Sequence, residues 1–347
     1  MITVRARAAA LLAAGSIFLL AGDVTGQAST KVKVGHFMSI STGGLYIAAE
    51  WGYFAEQGVK LELTRFKSLN NATPALATGR LDAYAGGIGA SLFNAIARGI
   101  PIKVVADKGQ EEKGSGYKAL VARKDLYDSG SLRTLAQIKG KRIAILPRGS
   151  SMDFQLHLML SAVGLSISDV KLAFMGAANN AAALKSKAVD AAWSFEPLTT
   201  RIEGLGLGVT IATLDQFAPH YQMGALQYSE RFAGQRRKVA ERFMVAYLKG
   251  VRAYVDAWKR RKPRGPVVQV LIKYTPLKNR AAYEKVRWAP LNPDGYLAVE
   301  SIQKEQEWYL EQGLITSKVP LDKVVDHSFV EYAIKVLGRY RFQRERR

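Results

Sequence analysis

The chain contains no cysteine, which excludes disulfide bonds, thiolate metal sites and thiol nucleophiles. Histidine is also scarce, and none of His36, His157, His220 and His327 lies in an H-E-x-x-H or similar metal-binding arrangement. No G-x-S-x-G turn surrounds Ser150, so the elbow motif of serine hydrolases is missing as well. The sequence offers no catalytic set, and we expect no metal, no cofactor and no enzymatic activity.

Long hydrophobic runs are absent too, except near the N-terminus. Arg5 and Arg7 precede an apolar stretch over about residues 8–21, and small residues suited to cleavage follow at 26–28. This is the layout of a secretory signal peptide, and the stretch is shorter than the roughly 20 residues that span a bilayer. We predict a signal peptide over 1–28 and a periplasmic location. A lipid-anchored product would need a cysteine after the signal, so we expect a soluble one.

Acidic residues are few beside basic ones, 29 against 50, which gives a formal net charge of +21. Such a charge attracts nucleic acid, anionic lipid or anionic solutes. Export argues against nucleic acid as a partner, and a solvated basic surface is the simpler interpretation for most of these charges. The basic tail from Gly338, which includes Arg339 and Arg341, is expected to be frayed and solvated.

The chain carries an internal repeat. Residues 59–83 and 170–191 share, in the same order, Val-Lys-Leu, Asn-Asn-Ala, Ala-Leu and a final Leu-Asp-Ala or Val-Asp-Ala. Each copy has the pattern of a strand, a helix and a strand, and a further strand and helix precede each one, with the strands near 31–34 and 142–146. Strands that alternate with helices favour a mostly parallel sheet covered by helices. We therefore predict an α/β protein of two lobes, each of this kind.

The repeat also predicts the order of the lobes along the chain. The first lobe would cover 29–116 and the second 117–220, and residues 221–347 would return to the first lobe and add C-terminal helices and the basic tail. The chain would cross between lobes near 115–118 and 215–221, where we expect the hinge of a closing motion.

Ligands of open α/β sheets bind outside the carboxyl ends of the strands, so the loops that follow the strands are candidate sites. In the first half these are the hydroxyl-rich loop 39–44 and the glycine-rich turn 86–91. Such hydroxyls cap the next helix or, together with its free N–H groups, hold an anion or a carbonyl. The glycines allow close backbone approach, but the turn is neither a dinucleotide fingerprint nor a P-loop. The candidate ligand-binding residues are Ser39, Ser41, Thr42, Gly43, Gly87 and Gly89.

In the second half, the loop 147–151 is the counterpart of the loop 39–44. Two facing helix N-termini would suit a sulfonate, a carboxylate or nitrate. The second repeat ends at 193–197, where Trp193 would stack on a ligand or pack in the core. Glu196 would accept hydrogen bonds from a ligand or pair with a lysine of the other lobe. The candidates in this half are Ser150, Ser151, Trp193 and Glu196.

The order of motifs resembles the SsuA/THI5-like family, the nitrate-, sulfonate- and taurine-type periplasmic binding proteins of ABC transporters. The resemblance rests on the segments 45–59, 75–83, 135–144 and 193–197, and it covers roughly residues 31–250. It implies a type 2 periplasmic binding protein fold with the ligand between the lobes. The ligand-binding residues that it implies are Ser41, Thr42, Gly87, Gly89, Ser150, Ser151 and Trp193.

From the resemblance we expect a monomer that binds a small anionic solute, closes its lobes around it and delivers it to an ABC transporter permease. Two alternatives stay open: an enzyme of the same fold that acts on a pyrimidine-type substrate, and a sensory or scaffold protein. The thiamine-pyrimidine synthase branch of the family relies on a cysteine-rich motif, so the lack of cysteine argues against that branch.

Overall fold

A computed structural model describes residues 29–67 and 69–341. The predicted signal peptide and the last part of the basic tail lie outside the described residues. Among the described helices, none has the length and the hydrophobicity that crossing a bilayer requires.

The described residues form ten strands in two five-stranded sheets. The strands are β1 (Thr30–Phe37), β2 (Val59–Phe66), β3 (Ala83–Gly86), β4 (Lys103–Asp107), β5 (Lys118–Arg123), β6 (Arg142–Ile145), β7 (Lys171–Phe174), β8 (Ala191–Phe195), β9 (Gly208–Thr213) and β10 (Ala225–Tyr228).

Helices cover both sheets and make up most of the chain after residue 236. The α-helices are α1 (Gly43–Glu50), α2 (Tyr53–Glu56), α3 (Leu69–Ala77), α4 (Ala90–Ala97), α5 (Lys124–Asp128), α6 (Ser151–Ser161), α7 (Asn180–Lys185), α8 (Leu198–Gly204), α9 (Arg237–Trp258), α10 (Gly265–Tyr274), α11 (Val299–Glu311), α12 (Leu321–Val324) and α13 (Ser328–Leu337).

The two sheets have the same topology. The strand order is β2-β1-β3-β10-β4 in the first and β7-β6-β8-β5-β9 in the second. In the first sheet only β10 runs antiparallel to its neighbours, and in the second only β5 does. Each of these two strands directly follows a chain crossing, so each sheet receives its reversed strand from the segment that arrives from the other sheet. The predicted fold class, two lobes with mostly parallel sheets covered by helices, is confirmed.

The internal repeat corresponds to equivalent units in the two sheets. The first copy forms β2, α3 and β3, and the second forms β7, α7 and β8. Polar and apolar residues alternate over 31–34, before the first copy. This alternation is explained by β1, in which Val32 and Val34 are buried while Lys31 and Lys33 are exposed. The repeated Asp-Ala pair leads into the last strand of each unit. In both units the aspartate, Asp82 or Asp190, accepts a hydrogen bond from a backbone amide of the neighbouring strand, that of Lys33 or Arg142.

Two chain segments cross between the sheets side by side. Residues 108–117 lead from β4 to β5, and residues 214–224 lead back from β9 to β10. Their backbones are hydrogen-bonded to each other: the amide of Glu111 donates to the carbonyl of Tyr221 at 2.8 Å, and the amide of Met223 donates to the carbonyl of Gly109 at 2.8 Å. This paired crossing lies where the hinge is predicted, and the lobe boundaries themselves stay a prediction.

The C-terminal helices pack on the first sheet through close contact between α1 and α9. A Cβ at Gly44 would lie 2.6 Å from Cγ2 of Val251, and a Cβ at Gly250 would lie 2.1 Å from the carbonyl oxygen of Gly44. Only glycine fits at such an approach. The long helix α9 buries one face that includes Phe243 and Tyr254, as its apolar spacing predicts.

Candidate functional site

A cavity lies between the two sheets, at the carboxyl ends of their parallel strands. The space between its walls is about 580 Å³, counting the part that opens to solvent. The walls combine hydroxyl, ammonium and apolar groups. The lining residues are Phe37, Ser39, Ser41, Leu69, Asn70, Tyr84, Gly87, Ile88, Lys108, Tyr117, Lys118, Leu146, Ser150, Ser151, Met152, Phe195 and Met223.

Five of the ten predicted site residues line this cavity, namely Ser39, Ser41, Gly87, Ser150 and Ser151. They come from three of the four predicted loops. The structure thus brings together hydroxyl groups and a backbone turn that are far apart in the sequence, because each loop follows a strand at the same edge of its sheet.

The glycine-rich turn of the first lobe touches the serine loop of the second lobe. The amide of Ala90 donates to the carbonyl of Gly149 at 2.9 Å, and a Cβ at Gly89 would lie 2.7 Å from that same oxygen. A Cβ at Gly87 would lie 3.2 Å from the hydroxyl of Ser151. Gly89 is therefore a contact between lobes at the rim of the cavity, and it is not among the lining residues.

The hydroxyl-rich loop forms a buried network. The hydroxyls of Ser39 and Ser41 are 2.8 Å apart, and Tyr117 donates to Ser41 at 3.3 Å. Thr42 is also buried, but its hydroxyl donates to the carbonyl of Phe37 at 2.7 Å and does not line the cavity. The expected helix caps are not formed, because Ser39, Thr42 and Ser150 make no side-chain cap hydrogen bond. The Ser39 and Ser41 hydroxyls bond instead to each other and to Lys108.

Lys108 brings a buried ammonium group to this network. Its Nζ donates to the hydroxyl of Ser41 at 2.7 Å and lies 3.4 Å from that of Ser39. The side chain is 3% exposed. Burial and repulsion from Lys118, opposed by the carboxyl of Asp107, together lower the pKa of Lys108 to about 7.

Lys118 is the second buried ammonium group. It starts β5 in the second lobe, and its Nζ donates to Oε1 of Gln155 on α6 at 2.8 Å. Burial lowers the pKa of Lys118 to about 8, while the carboxyls of Glu111 and Glu305 oppose the shift. The hydrogen bonds of both lysines thus go to the neutral oxygens of Ser39, Ser41 and Gln155, and the described lining contains neither aspartate nor glutamate.

The carboxyls near Lys118 belong to a separate buried network behind the cavity wall. Glu305 on α11 accepts hydrogen bonds from the hydroxyls of Tyr221 and Tyr309 at 2.8 and 2.6 Å, and burial raises its pKa to about 7. Glu111 accepts one from Ser115 at 2.7 Å, and burial raises its pKa to about 7. Because burial disfavours the ionised form of both carboxyls, it weakens the negative charge that they present to Lys118.

Two hydroxyls at the cavity are buried and lack a hydrogen-bond partner among the described residues, those of Ser150 and Tyr84. Buried polar groups are nearly always satisfied. Ser150 stands at the start of α6, and its loop is held by Asp153, whose carboxylate accepts the amide of Gly149 at 2.6 Å. Both residues line the cavity, so their unpaired hydroxyls are candidate contacts for a bound molecule.

The remaining predicted residues have other places in the fold. A Cβ at Gly43 would lie 2.6 Å from the ring of Tyr254, so Gly43 serves the contact between α1 and α9. Trp193 is fully buried in the middle of β8 and does not line the cavity, whereas Phe195, at the carboxyl end of the same strand, does. Of the two roles predicted for Trp193, the structure thus shows the packing role.

Glu196 is fully buried beside the cavity wall and is not among the lining residues. Its Oε2 accepts the amide of Thr200 on α8 at 3.1 Å, and its Oε1 lies 3.5 Å from the guanidinium of Arg287. Burial raises the pKa of Glu196 to about 7. The predicted lysine partner is replaced by this arginine, which also contacts Glu203 at 3.3 Å.

Comparison with known proteins agrees with this architecture. Residues 39–257 match the model of the family described as NMT1/THI5 like. The chain belongs to the NMT1/THI5-like family. Proteins of Brucella abortus, Brucella suis and Brucella melitensis that are named as binding proteins are 29% identical over 173 residues. The chain spans half the length of these curated relatives, and the match covers half of this chain.

Solved structures show the same fold in ligand-binding proteins. The ligand-binding component of an ABC-type import system from Staphylococcus aureus has a TM-score of 0.72 at 19% identity, covering 88% of this chain and 99% of that one. The alkanesulfonate-binding protein SsuA from Xanthomonas axonopodis, bound to MOPS, has 0.70 at 20% identity, covering 86% and 98%. The periplasmic nitrate-binding protein NrtA from Synechocystis has 0.73 at 16% identity, covering 89% of each chain.

Proposed function

We propose that this family member is an exported, monomeric solute-binding protein that delivers a small anionic solute to the permease of an ABC importer. The observation that carries the proposal is the cavity between the lobes, which holds two buried ammonium groups and no carboxylate among its described lining residues. An isolated charge in such a place is costly unless a counter-charge compensates it. An anionic solute supplies that counter-charge.

The choice of a transport role over an enzymatic one rests on what lines the cavity. Its hydroxyls and ammonium groups bind an anion, and its apolar residues suit the non-polar part of an organic solute. The structural relatives named above bind sulfonate, bind nitrate or belong to an import system. Sulfonates, carboxylates and nitrate are therefore the first solutes to test, and the periplasm is the proposed location.

Binding is proposed to close the lobes about the paired crossing, residues 108–117 and 214–224. The contact between Ala90 and Gly149 exists only while the lobes are together. A solute that touches both lobes favours this arrangement, because only differential affinity for the two states shifts their balance. The closed form then presents its surface to the permease.

The experiment is a thermal-shift panel of small anions, followed by X-ray scattering of the protein with and without the best solute. A solute at 100 times its Kd stabilises the folded protein by about 2.7 kcal/mol, which raises the melting temperature, and the radius of gyration should fall on binding. An unchanged radius in the presence of a tightly bound solute would refute the closing motion. A panel without any stabilising anion would refute the function.

A further inference from the structure

Each lobe contributes one of the two ammonium groups in the cavity. Lys108 follows β4 of the first sheet, and its partners Ser39 and Ser41 belong to the loop after β1 of the same sheet. Lys118 begins β5 of the second sheet, and its partner Gln155 lies on α6 of that lobe. The two charges are therefore positioned independently, each by side chains of its own lobe.

The cavity wall also contains apolar groups from both lobes. Phe37 ends β1 and Phe195 ends β8, and their ring centroids are 5.4 Å apart across the boundary between the lobes. Leu146 and Met152 of the second lobe and Met223 of the returning segment add to this apolar surface. A solute that fills the cavity must therefore present a non-polar part as well as charge.

The electrostatics favour two negative charges on the solute. The two lysines repel each other, and the described lining contains no carboxylate. The carboxyls of Asp107, Glu111 and Glu305 lie outside that lining and offset the lowered pKa values of the lysines only in part. A solute with one negative charge would leave the second lysine either charged without a counter-charge in the lining, which is costly, or neutral, and a neutral lysine forms no charge-assisted hydrogen bond to the solute. A protonated lysine has three N–H donors, and both lysines keep donors beyond the bonds to Ser39, Ser41 and Gln155.

We propose that the solute is an organic dianion with two acidic groups on a short apolar segment, and that Lys108 of one lobe and Lys118 of the other each hold one of these groups. This rests on the proposed function and specifies the class of solute. Because each acidic group is bound by a different lobe, the dianion links the lobes. A monoanion of the same length lacks one of the two links.

The test compares matched acids by isothermal titration calorimetry: glutarate with pentanoate, adipate with hexanoate, and 3-sulfopropanoate with propane-1-sulfonate. We expect at least one dianion to bind about tenfold or more tightly than its monoanionic partner. In the variants Lys108→Met and Lys118→Met this preference should disappear. The control Lys60→Met removes an exposed lysine of β2 and should keep the preference, and thermal melting of all variants checks the fold.

Equal affinity for dianions and monoanions in the unsubstituted protein would overturn the proposal and leave the solute-binding function standing. A preference that persists in both cavity variants would overturn it too, since the lysines would then not be its cause. Binding of neither series also contradicts the dianion. In that case the wider anion panel described above decides separately whether the proposed function fails with it.

Discussion

Substitution of Gly89 by alanine should prevent full closure of the lobes. The backbone of Gly89 is extended, with φ −173°, so alanine adopts it without strain and the effect is steric alone. Its Cβ would lie 2.7 Å from the carbonyl oxygen of Gly149, against the 3.4–4 Å of ordinary contact. The two turns must therefore separate by several tenths of an ångström, or the closed form must accept the strain.

Such overpacking costs about 1–3 kcal/mol. In the proposed open form the two turns are apart, so the steric cost destabilises only the closed form. Solute affinity should therefore decrease about 5-fold to 150-fold. Calorimetry measures the affinity, and X-ray scattering should show incomplete compaction of the variant. The matched control is Gly204→Ala on α8, where a Cβ meets nothing within 4 Å. Unchanged affinity and full compaction in the Gly89 variant would refute the closed arrangement.

Three further outcomes follow from the structure. A bound anion favours the charged form of Lys108, whose pKa is lowered to about 7. Solute affinity should therefore be highest below pH 7 and should decrease as the pH rises above 7. Calorimetry that shows affinity rising with pH would contradict this. Trp193→Phe should lower the free energy of unfolding by about 1–3 kcal/mol. It should leave solute affinity unchanged, because the side chain is buried and does not line the cavity. Lost affinity with normal stability would show that Trp193 contacts the solute. Arg287→Met should destabilise the protein by about 1–2 kcal/mol when Glu196 is ionised, above its pKa of about 7. This is less than for a fully buried pair, because the arginine side chain is 33% exposed. The loss should be smaller at lower pH, where the carboxyl is protonated; chemical denaturation at two pH values measures the difference, and an equal loss at both would show that the ion pair is not the cause.

The repeated sequence pattern was sufficient to predict the fold. The copies at 59–83 and 170–191 share spacing, apolar periodicity and turn residues, which are local signals that each sheet unit satisfies in the same way. The reversed strands β5 and β10 follow the chain crossings predicted near 115–118 and 215–221, but their insertion between parallel strands is a property of the whole sheet. No local pattern of residues specifies it.

The candidate site was predicted in part, because strand-end loops are recognisable in the sequence. Ser41 and Ser150 are hydroxyl residues between a strand and a helix, which is a local pattern. Lys108 and Lys118 were missed, since a lysine beside an apolar strand usually reaches solvent, and only the folded chain brings Lys108 to Ser41 and Lys118 to Gln155. Trp193 and Phe195 share a face of β8 by the period of two, but the pattern alone does not show which of them reaches the end of the sheet.

The central claim is that the cavity between the lobes binds an anionic solute through its buried lysines. A crystal structure of the protein with the best solute of the anion panel tests this most directly. The account predicts density for the solute between the lobes, with an acidic oxygen about 3 Å from Nζ of Lys108 and contacts from both lobes. A solute bound elsewhere on the surface, with Lys108 still donating only to Ser39 and Ser41, would contradict it.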